Sequence, residues 1–215
     1  MRNSVLFFLI GIASTALISA QTCTSIPGGA TPDGVVSATA NFSVGEGSVS
    51  VAVTNLLVNP LSVGQLLSGV QFTLTSGVTT GSLSSSSALV RNVKKAGAYT
   101  DLVAGATGWA LDNTSGFLLC ALCNDFGAIG PKRLLIGDPN PSTGTYNGAN
   151  ASIAGNKPHN PFTAGTAYFV ITVPDAVAGD TVSSVTFFFG TAGGASGVPG
   201  VGVAVGGSCG RGPKQ

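Results

Sequence analysis

Ser48-Val49-Ser50-Val51-Ala52-Val53-Thr54 alternates small or hydroxyl-bearing residues with valine, and that period of two decides the fold. Successive side chains of a strand point to opposite faces, so the valines share one buried face and the small polar residues the other. Val70-Gln71-Phe72-Thr73-Leu74-Thr75 repeats the device, with Val70, Phe72 and Leu74 inward. Ala167-Tyr168-Phe169-Val170-Ile171-Thr172-Val173 is rich in β-branched and aromatic residues, and Pro174 ends it by removing a ladder donor. Val182-Ser183-Ser184-Val185-Thr186-Phe187-Phe188-Phe189 reads as a strand buried on one side and covered by a loop on the other.

Working outward, weaker strand patterns occupy Val35–Phe42, Ser87–Val93, Gly108–Asp112, Gly116–Leu122, Arg133–Ile136 and Val201–Val205. Turn chemistry separates them: Pro27-Gly28-Gly29, Asp33-Gly34, Asn59-Pro60, Asp138-Pro139-Asn140-Pro141 and Asn147-Gly148. About nine or ten short strands punctuated in this way predict an all-β fold, a single antiparallel β-sandwich or jelly-roll-like domain. One short helical turn is expected within Ser62–Leu67.

The N-terminus reads as a secretory signal peptide over residues 1–20, leaving one domain over 21–215. Arg2 precedes the apolar run Val5–Ala13, and small residues lead to Ala20, with Ile18 at the −3 position of the expected cleavage. Ser14, Thr15 and Ser19 dilute the run below what a bilayer span requires, and no second hydrophobic span follows. The expected location is therefore secreted or extracellular, with no membrane span after signal cleavage. About 195 residues remain, enough for one sizeable core. Loss of Arg2 leaves that chain with no formal net charge. The absence of any basic patch argues against nucleic acid as a partner. Near-neutrality instead removes the repulsion that keeps proteins apart, which favours self-association or adsorption to a surface or matrix polymer.

Four cysteines follow the signal segment: Cys23, Cys120, Cys123 and Cys209. In an oxidising compartment they allow three pairings. The expected framework is Cys120–Cys123, across a local bend, and Cys23–Cys209, near the two ends of the domain. A redox Cys-x-x-Cys wants a helix start behind it, and none is visible. A zinc site wants further ligands, but the other cysteines are remote and His159 is the single histidine. No cofactor or metal is expected. Asp112-Asn113 and Asp138 with Asn140 supply oxygen ligands suited to calcium, without the Asp-x-Asp-x-Asp-Gly spacing.

Catalysis finds no foothold either. No Gly-x-Ser-x-Gly elbow appears on a strand-turn-helix, and Glu46 and the seven aspartates are scattered. His159 stands between Pro158 and Pro161, where a structural role is expected. Residues 137–166, rich in Asn, Pro, Gly and Ser, form the one long segment without strand character. It is either an ordered cover over the end of the sandwich or a recognition loop, with Asp138, Asn140, Tyr146 and His159 as its candidate residues. Asn41, Asn113 and Asn150 lie in Asn-x-Ser/Thr glycosylation sequences.

From Ser48 to Thr191 the chain resembles the secreted ectodomains of the bacterial PEP-CTERM, or exosortase-sorted, proteins. The resemblance is carried by Val53-Thr54-Asn55-Leu56, Gly69-Val70-Gln71-Phe72-Thr73-Leu74, Gly108-Trp109-Ala110-Leu111 and Leu119-Cys120-Ala121-Leu122-Cys123. It is closest in Asn150-Ala151-Ser152-Ile153-Ala154-Gly155-Asn156-Lys157-Pro158-His159-Asn160-Pro161-Phe162 and in Val185-Thr186-Phe187-Phe188-Phe189-Gly190-Thr191. It implies an extracytoplasmic, β-rich bacterial protein of the surface or matrix, with no catalytic residues to transfer. The chain has no Pro-Glu-Pro motif, following apolar span or terminal arginine cluster, so neither sorting nor anchoring is implied. Together these readings give a secreted, non-catalytic structural or adhesive protein. The alternative is an extracellular carbohydrate-binding module, with Trp109, Tyr146 and Tyr168 as stacking residues.

Overall fold

A computed structural model describes residues 18–25, 28–123, 133–155 and 159–191, together with the backbone of 205–211. The first seventeen residues of the expected signal peptide, and residues 201–204 of the expected C-terminal strand, lie outside the described residues. Fourteen strands are described: β1 (Ser19–Ser25), β2 (Ala30–Thr31), β3 (Gly34–Val35), β4 (Ala38–Gly45), β5 (Ser48–Asn55), β6 (Leu67–Leu74), β7 (Ser82–Val93), β8 (Tyr99–Gly105), β9 (Ala110–Asp112), β10 (Phe117–Cys120), β11 (Leu135–Ile136), β12 (Phe162–Thr172), β13 (Val182–Phe189) and β14 (Val205–Arg211). The four strands beyond the ten patterns are β1, β2, β3 and β8: β2 and β3 are only two residues long, and β1 and β8 carry no strong alternation. The expected helical turn is a single 3₁₀ turn, Val63–Gln65, capped reciprocally by Ser62 and Gln65. Among the described residues no helix is long and apolar enough to cross a membrane.

The domain is all-β and sandwich-like. Its main sheet runs β8-β7-β12-β5-β4-β1-β14-β13-β6-β10-β9, with β11 pairing both β12 and β6. Every pairing is antiparallel except β11 with β12. The path from β12 through β5, β4, β1, β14, β13 and β6 returns to β12 across β11, where Leu135 pairs with both Thr163 and Leu67. The sheet thus folds over on itself and is stitched shut at one corner. β7 and β8 extend as a wing beyond β12, and β10 and β9 beyond β6.

The interior is built from the inward half of each alternation. Val49, Val51 and Val53 of β5 meet Ala38, Ala40, Phe42 and Val44 of β4 and Ala167, Phe169 and Ile171 of β12, all buried. Phe42 reaches across to Phe72 of β6, with ring centroids 4.9 Å apart, and Phe72 stacks on Phe117 of β10 at 5.3 Å. Such aromatic contacts fix how the two halves register. Ser19 and Ala20 already pair with Val44 and Ser43, so β1 begins two residues ahead of the expected cleavage point.

Candidate functional site

The described residues of the long segment, 137–155 and 159–161, form an ordered cover over one end of the domain. Residues 162–166, expected without strand character, are instead the start of β12, because their backbone pairs with β7, β11 and, at Thr166, β5. Asn59 donates its backbone N–H to the carbonyl of Asp138, and Asn150 donates to Leu61. Ser152 Oγ accepts from the backbone of Val63 at 2.9 Å. Within the segment, Asn140 and Asn150 each accept from a backbone N–H two residues on, the short-range turn that asparagine favours. Asp138 is exposed and Asn140 partly so.

Tyr146 is not available for recognition. Its side chain is buried against the body, which corrects its place both among the loop's recognition residues and among the stacking aromatics. Its hydroxyl donates to the carbonyl of Gly137 at 2.8 Å and accepts from Arg91 Nη1 at 2.9 Å. Arg91, buried on β7, also grips Asp101 of β8 with two hydrogen bonds of 2.6 and 2.8 Å. Its guanidinium lies 4.2 Å from the Tyr99 ring centre, a cation–π contact. Burial opposes the charge on Arg91, but the hydrogen bonds to Asp101 and Tyr146 outweigh it and raise the pKa. Burial pushes the Tyr146 phenol up to about 12, against the lowering effect of Arg91. Gly97 makes the docking possible: its φ is +82°, and a Cβ there would collide with the Tyr146 carbonyl.

His159 is partly buried, and burial lowers its pKa. The tie at this point of the segment is made by Asn160, which accepts from the Val93 N–H at 3.1 Å and donates to the Val93 carbonyl at 2.7 Å. Asp112 caps a turn through Thr114, while Asn113 donates to the carbonyl of Gly81. Among the described residues no three or more His, Cys, Asp or Glu side chains gather into a metal-sized group.

Cys120 and Cys123 form a disulfide, their Cα atoms 5.5 Å apart. The pair lies with Ala110, Leu118 and Phe188 in a small apolar cluster, separate from the main core, on the outer side of β6, β10 and β9. Cys23 is disulfide-bonded, and its directly opposed residue in the β1–β14 ladder is Cys209.

The other outer surface is bare, and the polar half of the alternation accumulates there. Register places Ser87, Tyr168, Ala52, Asn41 and Thr22 in one row across β7, β12, β5, β4 and β1. The next row is Ser85, Val170, Ser50 and Ser43, and on the other side run Thr166, Thr54, Thr39 and Thr24. All of these are exposed or half-buried, and none carries a charge. Several hydroxyls are already paired across strands: Thr54 with Thr166 at 2.9 Å, Ser84 with Thr172 at 2.6 Å, and Thr22 with Asn41 at 2.7 Å. Of the three aromatics suited to stacking, Trp109 is buried with its indole N–H donating to the Arg133 carbonyl, and Tyr146 is buried as described. Tyr168 is 57% exposed, in the middle strand of this face, with Val170 beside it at 39%. Tyr168's outward aim follows from its place between Ala167 and Phe169, which are both buried and face the inward Val53 and Val51 of β5.

No protein-family model, no curated protein and no solved structure matches the chain.

Proposed function

We propose that the protein is an exported, non-catalytic structural or adhesive component of a bacterial cell surface or extracellular matrix. The observation that supports this best is the charge-free outer face of β7, β12, β5, β4 and β1, with hydroxyls in rows and apolar side chains at its centre. A surface of this kind makes many weak, unsteered contacts rather than one deep, polarised site. The signal-peptide pattern, the paired cysteines and the resemblance to exosortase-sorted ectodomains point the same way. In the long segment Tyr146 is occupied with Arg91 and Gly137, and its described residues bring no acid, base and nucleophile together.

Fractionation of a culture producing the full chain tests the reading. The processed protein, beginning near Gln21, is expected in the envelope, matrix or medium. Retention of an unprocessed chain in the cytoplasm, or turnover of a substrate by the purified protein, would overturn it.

A further inference from the structure

The charge-free face narrows what an adhesive protein of this kind adheres to. We infer that the outer face around Tyr168 docks an uncharged polysaccharide presented as a fibre or particle. This rests on the adhesive reading above and adds the partner's chemistry.

Three observations converge. Across five adjoining strands the outward rows contain no Lys, Arg, Asp or Glu, so the face offers nothing to neutralise a phosphate, a uronate or a charged protein surface. Burying an unpaired charge against it would be costly, which selects a neutral partner. At its centre Tyr168 is flanked in its own row by the small residues Ser87 and Ala52, leaving the phenol ring open to solvent. Sugar rings carry C–H groups on their faces and hydroxyls on their edges. An open aromatic ring with Val170 beside it meets the first, and rows of serine and threonine, each both donor and acceptor, meet the second. Finally, cross-strand bonds such as Thr54 to Thr166 and Ser84 to Thr172 hold hydroxyls in place before anything binds. Less rotamer freedom is then lost on contact. Within each row the side chains recur at the strand spacing of about 4.8 Å, a repetitive array suited to a repetitive polymer.

A second exposed surface, the β8 edge with Leu102 and Val103, is a weaker site. The β7–β8 register slips between Ala88 and Val90, and such a bulge turns an edge away from further pairing.

The test is adsorption of the disulfide-intact mature chain to insoluble polysaccharides. The probes are microcrystalline cellulose and chitin as neutral β-linked polymers, and calcium alginate as an anionic one. Saturable binding to at least one neutral polymer, unchanged between low and high salt, is expected, with none to alginate. Tyr168→Ala should weaken it by about tenfold or more, the scale of a lost aromatic contact, while Tyr168→Phe keeps it. Ser50→Arg, which places a charge at the face centre, should abolish it, and Val103→Asp on the β8 edge should leave it unchanged. Melting temperatures of the variants confirm folding. The inference falls if Tyr168→Ala and Ser50→Arg bind like the wild type, if binding is lost at high salt, or if no neutral polymer is bound. It also falls if Ser50→Arg instead dissociates a dimer or fibre, because a second copy would then own the face. Surface or matrix location together with any of these results would leave the adhesive reading standing, whereas cytoplasmic retention would remove that reading itself.

Discussion

The two outer surfaces of the sandwich are made by the same kind of strand and end in opposite states. On the β1-β4-β5-β12 side, each strand alternates apolar-in with hydroxyl-out, and the outward half meets solvent. On the β6-β10-β9 side, Phe117, Leu118, Leu119 and Cys120 are all buried, because Leu118 and Cys120 pack outward into the cluster around the Cys120–Cys123 disulfide. A strand covered on both faces needs no alternation, and a strand with one wet face does. The outward side chains therefore report the cover: on the β1-β4-β5-β12 side they are mostly Ser, Thr and Asn, exposed or half-buried among the described residues. An exposed tyrosine and valine amid such residues then stand out as the part of the surface with something left to contact.

The largest expected effect lies on the seam where β1, the last strand of the bare side, meets β14. Cys23 is disulfide-bonded and faces Cys209 in that ladder, so peptide mapping without reduction should recover a Cys23–Cys209 link alongside Cys120–Cys123. A bond there closes nearly the whole domain, and the loop-entropy argument assigns such closures about 4–5 kcal/mol. Cys23→Ser should lower the melting temperature sharply, while Cys120→Ser, which opens a loop of a few residues, should cost less. Equal losses would show that the covered face depends on its local disulfide as much as the whole domain depends on the seam.

A smaller effect separates the two faces directly. Leu118 points outward on β10 but is buried, whereas Val170 points outward on β12 and is 39% exposed. Leu118→Ala should cost about 2–3 kcal/mol by chemical denaturation, at the low end for a buried leucine because the site adjoins solvent. Val170→Ala should stay within about 0.5 kcal/mol. If Val170→Ala proves as damaging as Leu118→Ala, the bare face is covered in solution by another molecule.

Much of this arrangement is legible in the residues. The patterns of Ser48–Thr54 and Val182–Phe189 coincide with β5 and β13, while those of Val70–Thr75 and Ala167–Val173 mark the C-terminal parts of β6 and β12, which begin at Leu67 and Phe162. What stayed hidden was either without alternation or dependent on distant partners. β8, Tyr99–Gly105, is an edge strand exposed along most of its length, so nothing selects apolar residues at every second position. β1 sits where the signal-peptide pattern ends, and its inward residues are Cys23 and Ser25 rather than valines. Tyr146 lies among turn residues and so looks exposed. Its burial comes from Arg91 on β7 and the close approach at Gly97, neither of which leaves a mark near Tyr146 itself. His159 stands out as the single histidine of the segment, but the residue seen to fasten the segment there is its neighbour Asn160.

A further effect concerns the end of the sandwich, which belongs to neither face and holds a buried polar cluster. The Tyr146 phenol, desolvated and donating to the Gly137 carbonyl, has its pKa pushed up to about 12 from the ordinary 10.0. A folded-state pKa above the unfolded value means the folded chain holds this proton more tightly. Its contribution is complete below pH 10 and is lost as pH rises from about 10 to 12. Two units correspond to about 2–3 kcal/mol at most. Unfolding free energy measured by urea at pH 9, 10, 11 and 12 should therefore fall across that window, and an absorbance titration should show a phenol ionising near pH 12. Tyr146→Phe should cost about 1–3 kcal/mol at pH 7, because the Gly137 carbonyl and one Arg91 donor lose their partner. It should also flatten the alkaline fall. Val170→Ala, on the bare face, should leave that fall as it is. An alkaline fall that persists undiminished in Tyr146→Phe would place the pH-sensitive element elsewhere and leave the end cluster with a packing role alone.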